Sequence, residues 1–298
     1  MTAATIAQII LVMLLWAACF PLITAGLDLA PHLTFAAMRA ILAGLTLTVL
    51  ALALRRPLPK GLPHWAMVAV VGLGATSLAF LGMFHAAEFV SPGIATVIAN
   101  TQPLLAAMLA GMVLDERLTV RGTTGLVLGF IGILSIAAPQ FVAPGQENYV
   151  FGVAYIILAA LGITVSNVVI KRIAGRVDPL MAMGLQMLIG SIPLVLIAWS
   201  TEEPATVHWS FTFVGVLLAL SLFGTALVYW LWFSVLEKTP LNRANAFSFL
   251  IPIFGLTIGA LFFDETLGWS QLIGTALAVL GVTLVTRNGT RSAAGAPG

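Results

Sequence analysis

The side chains able to do chemistry in this sequence are few, and most are stranded in long apolar runs. Asn100, Thr101 and Gln102 stand side by side just before Pro103, near the middle of one run. Ser166, Asn167 and Gln186 sit at similar depth in two others, and Ser248 precedes Pro252 by four residues in a fourth. Arg39 is the one basic residue well inside an apolar run, and His85 closes another beside Glu88. Trp16, Tyr229 and Trp230 add aromatic faces at positions away from the run ends. These groups bind, by hydrogen bond, charge and stacking. They do not form a nucleophile–base pair, and no HExxH, Cys/His cluster or Walker sequence is present, so metal-site, protease and ATPase chemistry have no support. No cofactor or metal is expected.

The elements that must position these groups are set by composition. Of 298 residues, 60% are hydrophobic and 8% charged, with a mean hydropathy of +1.08. A soluble domain carries roughly a quarter charged residues, so this chain reads as an integral membrane protein. A net charge of +2 with scattered basic residues gives no footprint for nucleic acid. The single cysteine, Cys19, excludes an internal disulfide. The first apolar run lacks a basic leader and continues past residue 20, so it reads as a spanning helix.

A crossing takes about 20 apolar residues. Ten segments qualify, at 5–26, 33–54, 63–84, 91–113, 121–139, 149–171, 178–199, 209–236, 241–262 and 269–286. Lys and Arg follow the even-numbered segments: Arg55, Arg56 and Lys60, then Arg117 and Arg121, Lys171 to Arg176, Lys238 and Arg243, Arg287 and Arg291. The loops of the other face carry Asp28, His32, Glu88, Glu147, Glu202, Glu203, Asp264 and Glu265 with no Lys or Arg. Basic loops stay cytoplasmic, so both termini are expected in the cytoplasm. The tail 287–298 is small and polar and reads as disordered.

The chain also repeats itself. Pro103 precedes Asp115-Glu116 by twelve residues, and Pro252 precedes Asp264-Glu265 by the same twelve, 149 residues further on. The same offset relates Leu73 to Leu222, Thr76 to Thr225, Leu78 to Leu227, Glu88 to Glu237, Gly125 to Gly274 and Gly132 to Gly281. The match is good from the third to the fifth segment and faint over the first two. It gives two five-helix units, 1–140 and 141–286. Because five is odd, the second unit enters the membrane from the opposite side. Inverted repeats of this kind are a mark of secondary transporters. Each proline disrupts the bond to the carbonyl four residues back, that of Ala99 or Ser248. Freed groups at membrane depth need a neighbour, water or ligand. "ANTQP" and "SFLIP" are therefore equivalent polar notches, with Pro103 and Pro252 as hinges, unless they are packing kinks.

The sequence "NTQPLLAAMLAGMVLDERLTVRGTTGLVLGFIGIL", its looser copy "FLIPIFGLTIGALFFDETLGWSQLIGTALAVLGVTLV" and the "AAMRA" around Arg39 resemble the EamA family of the drug/metabolite transporter superfamily. The second copy departs from the pattern at Thr266, which stands where Arg117 does. The resemblance covers nearly the whole chain. It implies an all-α polytopic protein of the bacterial inner membrane, with ten transmembrane helices in two inverted five-helix repeats. It also implies that this protein moves small metabolites, among which the aromatic and neutral amino acids are the expected substrates, by export or facilitated diffusion.

Candidate substrate contacts are thus Trp16, Arg39, His85, Asn100, Gln102, Asn167, Gln186, Tyr229, Trp230 and Ser248. Each has a plainer alternative. Trp16 either walls a substrate or packs, and Asn167 and Gln186 are contacts or interhelical ties. Arg39 costs about 2.5–3.5 kcal/mol to bury on the mildest scale. It snorkels outward, pairs with Asp28 or Glu88, or receives a substrate carboxylate. No carboxylate falls clearly inside a segment, Asp178 standing at the edge of one, which points away from tight proton or sodium coupling. The expected partners are the bilayer and a small molecule. Gly125-x-x-x-Gly129 is read as packing within a monomer, though the motif leaves a dimer open.

Overall fold

The computed structural model describes residues 1–86, 102–137, 149–203, 206–262, 268–287 and 290–292. The apolar runs form helices because hydrocarbon offers no partner for a backbone N–H or C=O, and a helix satisfies each one internally. They are α1 (Ala3–Leu27), α2 (His32–Ala53), α3 (Leu62–Ala86), α4 (Gln102–Val113), α5 (Val120–Ala137), α6 (Tyr149–Ile173), α7 (Pro179–Thr201) and α8 (Phe211–Lys238). Next comes α9, built from Leu241–Ala246, a 3-10 turn Phe247–Phe249 and Leu250–Phe262. Last is α10 (Trp269–Thr286). Among the described residues, eight helices are long and apolar enough to cross a membrane; α4 and the Val120–Ile136 stretch of α5 are apolar but shorter. Asn100, Thr101, Glu88, Asp264 and Glu265 lie outside the described residues. Glu116–Leu118 (β1) pairs antiparallel with Thr290–Ser292 (β2).

Exposure runs opposite to that of a water-soluble protein. Large apolar side chains such as Leu196, Phe223 and Leu261 face outward, while Arg39, Thr76, Gln102, Asn167, Gln186 and Thr225 are buried. Helices α5 and α10 pack on each other, as do α2 and α7. Helix α3 packs on α6 and α7, α1 on α8 and α9, and α4 on α6.

Helix ends tie some of these pairs. Asp178 caps α7 by accepting from Leu180 N and Met181 N, and it faces Arg56 at 3.7 Å. At the other end Glu202 caps α2, accepting from Leu33 N at 2.8 Å and Thr34 N at 2.7 Å.

Small residues set the α5–α10 spacing. A Cβ on Gly132 would stand 2.6 Å from the Gly274 carbonyl oxygen, and one on Gly274 would stand 2.5 Å from that of Gly132. Gly125 and Gly281 approach in the same way. Gly129 abuts the Phe249 ring of α9, so Gly125-x-x-x-Gly129 is spent on contacts within the chain. Such backbone contact is how apolar helices gain packing without a hydrophobic driving force. Gly274→Leu should therefore overpack the α5–α10 seam and cost about 1–3 kcal/mol. It would appear as a lowered thermal midpoint of purified protein in detergent. Gly215→Leu, on a face with nothing within 4 Å, should leave the midpoint unchanged.

Candidate functional site

Two local departures from α-helical geometry build the site. Helix α3 widens into a π-helical segment at Leu73–Leu78, and α8 does so at Leu222–Leu227, 149 residues later. A π turn disturbs the regular ladder and turns backbone carbonyls toward other partners. Two carbonyls at equivalent positions are used in this way. Ala75 O accepts from the Tyr229 hydroxyl at 3.1 Å, and Gly224 O accepts from Arg39 Nη2 at 3.2 Å. The next residue in each turn is a buried threonine that reaches another helix. Thr76 Oγ1 donates to Gln186 Oε1 of α7 at 2.9 Å. Thr225 Oγ1 donates to Leu220 O at 2.8 Å and accepts from Arg39 Nε of α2 at 2.7 Å. One π turn thus holds a neutral amide and the other holds a cation.

Arg39 is 5% exposed. Arg39 does not snorkel and does not pair with Asp28; Glu88, the other acid expected for it, lies outside the described residues. The ion pairs found among the described residues are His32–Glu202 and Arg56–Asp178, and neither involves Arg39. Its partners are a hydroxyl, a carbonyl, the Cys19 thiol at 3.8 Å and the face of Phe80, 5.1 Å from the ring centroid. The Cys19 thiol lies between Leu15 O at 3.2 Å and Gly224 O at 3.6 Å. Hydrogen bonds and a cation–π contact stabilise the guanidinium, but no described carboxylate neutralises its charge.

An aromatic wall adjoins it. Trp16 meets Tyr229 edge-on at 6.1 Å and Trp232 at 5.5 Å. The Trp232 indole donates to Asn167 Oδ1 of α6 at 2.9 Å, which fixes its orientation. Trp16 and Cys19 are one turn apart on α1, and Tyr229 and Thr225 one turn apart on α8, so cation and rings share a region. Trp16 and Tyr229 remain half-buried, whereas Trp232 is buried. Trp230 is half-buried outside this trio.

The structure therefore brings together Trp16, Arg39, Asn167, Gln186 and Tyr229 through α1, α2, α3, α6, α7 and α8. The other candidates fall elsewhere. Gln102 begins the described part of α4 next to Pro103; it is buried, and its Nε2 has no partner among the described residues. Ser248 lies in the 3-10 turn ahead of Pro252 and donates to Asn245 O at 2.7 Å, so the proline notch in α9 takes the form of a tightened turn. His85 joins a separate cluster, 3.2 Å from His32 and 5.2 Å from the Tyr155 ring, where His32 also faces Glu202 at 3.3 Å. Asn100 is outside the described residues. An open concavity of about 530 Å³ lies at another place again, between the start of α1 and the end of α8, lined by Thr5, Gln8 and Lys238.

Sequence reasoning missed Cys19, Phe80, Thr76 and Thr225. The two threonines carried a signal, since they are one of the 149-residue identities. Cys19 and Phe80 carried none, because an apolar run gives no hint of which face meets Arg39.

The comparisons agree with this architecture. A chain in a crystal structure superposes with a TM-score of 0.81 at 19% identity, covering 97% of this chain and 98% of that one. A WAT1-related chloroplastic protein of Arabidopsis thaliana is 32% identical over 84% of this chain, which spans 61% of that relative's length. An Escherichia coli (strain K12) protein named as a probable amino-acid metabolite efflux pump is 26% identical, over 92% of this chain and 91% of its own. The model of the EamA-like transporter family matches twice, at residues 3–138 and 150–287. With two matches spanning nearly the whole sequence, this integral membrane protein belongs to the EamA-like transporter family.

Proposed function

We propose that the protein is a secondary transporter of small organic metabolites, amino acids with aromatic or neutral side chains first among them. It works by alternating access in a bacterial inner membrane. In this reading the chain crosses the membrane ten times as two inverted five-helix units, with both termini cytoplasmic. The double family match, the π turns 149 residues apart and the mutual packing of α5 with α10 and α2 with α7 support two units related by a two-fold axis. Such a pair has inward-open and outward-open forms of similar energy.

The observation that carries the reading is Arg39. A guanidinium buried with only neutral described partners gains from an incoming anion, and charge-assisted bonds to carboxylates are the strong ones. Beside it, Trp16 and Tyr229 offer half-buried faces to an apolar or aromatic side chain. A carboxylate joined to such a side chain suits both. The relative named for amino-acid metabolite efflux supports the same class. With Asp178 at the very start of one segment and no Asp or Glu further inside any of them, the substrate moves down its own gradient or by exchange.

Four outcomes test this. Purified protein in liposomes should transport labelled aromatic or neutral amino acids from a wider panel of amino acids and drugs; silence for every amino acid removes the substrate class. Arg39→Gln should cut transport of carboxylates about 10- to 100-fold, the range expected for losing a charged hydrogen bond. Trp16→Ala and Asn100→Ala should also lower uptake, with size-exclusion profiles unchanged. An imposed proton gradient should not drive concentrative uptake.

A further inference from the structure

At the end of the bundle where α4 stops and α9 starts, the two sequence halves are tied by side chains that the reading above leaves unused. After α4 the chain turns at Asp115, whose φ is 53°. After this left-handed corner Glu116 is 6% exposed. Its Oε2 accepts from the Asn242 backbone N–H at 3.3 Å, and its carbonyl oxygen accepts from Asn242 Nδ2 at 3.0 Å. Asn242 is 1% exposed and lies in the first turn of α9, which Pro240 precedes without a side-chain cap. A glutamate of the first half therefore caps a helix of the second.

Nearby, Lys171 at the end of α6 donates to Leu236 O at 2.6 Å and Thr239 O at 2.8 Å, and Glu116 lies within electrostatic reach of it. The knot is only partly satisfied. Asn242 Oδ1, Arg243 Nε and Thr239 Oγ1 are buried without a partner among the described residues. Water reaching this end would satisfy them, so opening recovers part of what breaking the tie loses.

We propose that the Glu116–Asn242 tie is a gate that holds this end of the bundle shut and breaks when it opens. The proposal rests on the alternating-access reading.

The test places a cysteine at Ala106, which is 0% exposed on α4, in a Cys19→Ala background. Its labelling by a membrane-impermeant thiol reagent is then followed in inverted and in right-side-out membrane vesicles. Glu116→Ala should speed labelling about tenfold in inverted vesicles only. Glu116→Gln should do so less, because the amide oxygen still accepts the Asn242 N–H. A Glu116→Ala rate within twofold of the parent overturns the gate, as does equal acceleration in right-side-out vesicles. If Glu116→Ala does not fold, Asn242→Ala decides in its place, with the same two readings. Labelling reports access and not transport, so an inactive substrate panel leaves the gate standing, and unchanged labelling sinks the gate without touching the transport reading.

Discussion

A guanidinium surrounded by apolar helices must be solvated by the protein, and the two oxygens that solvate Arg39 both come from the irregular turn of α8. A regular α8 would keep the Gly224 carbonyl in its own ladder. The π turn at Leu222–Leu227 turns that carbonyl to Arg39 Nη2 and brings the Thr225 hydroxyl to Nε. Phe80 and Cys19 complete the shell from α3 and α1. Arg39 therefore couples α2 to α8, α3 and α1 at once, and the positions of these helices are not independent. Removing one partner of such a buried charge leaves the remainder uncompensated, which is why the surrounding packing is so specific.

The second π turn shows what the charge adds. At Leu73–Leu78 the same geometry presents Ala75 O to Tyr229 and Thr76 to Gln186. The amide satisfies the threonine at no electrostatic cost, and its Nε2 is left buried without a partner among the described residues. The two π turns thus differ by one unit of charge in what they hold.

Several sequence readings that looked like separate features meet in this arrangement. The proline of α9 acts through the 3-10 turn Phe247–Phe249, and the Phe249 ring fills the space that Gly129 of α5 leaves open. The glycines of α5 and α10 bring their backbones together. Glu116 ties α4 to α9 from the opposite half of the chain.

The sequence by itself determined the membrane class, because 8% charge cannot cover a water-facing surface, and it determined the repeat, because Pro, Asp-Glu and paired Gly are too scarce to recur by chance at one offset. It also singled out Trp16, Arg39, Asn167, Gln186 and Tyr229, since a polar or amphipathic group in an apolar run is costly wherever it points. It left open which way each one points. Thr76 and Thr225 were visible as an identity but not as π turns, because a one-residue widening depends on what packs against the helix and not on local propensity. The tertiary structure decided that Arg39 faces carbonyl, hydroxyl and ring instead of Asp28, that His85 joins His32 away from the aromatic wall, and that Glu116 turns inward. In each case the deciding fact is a partner 50 to 200 residues away in sequence, and in an apolar chain nothing local distinguishes the face that will meet it.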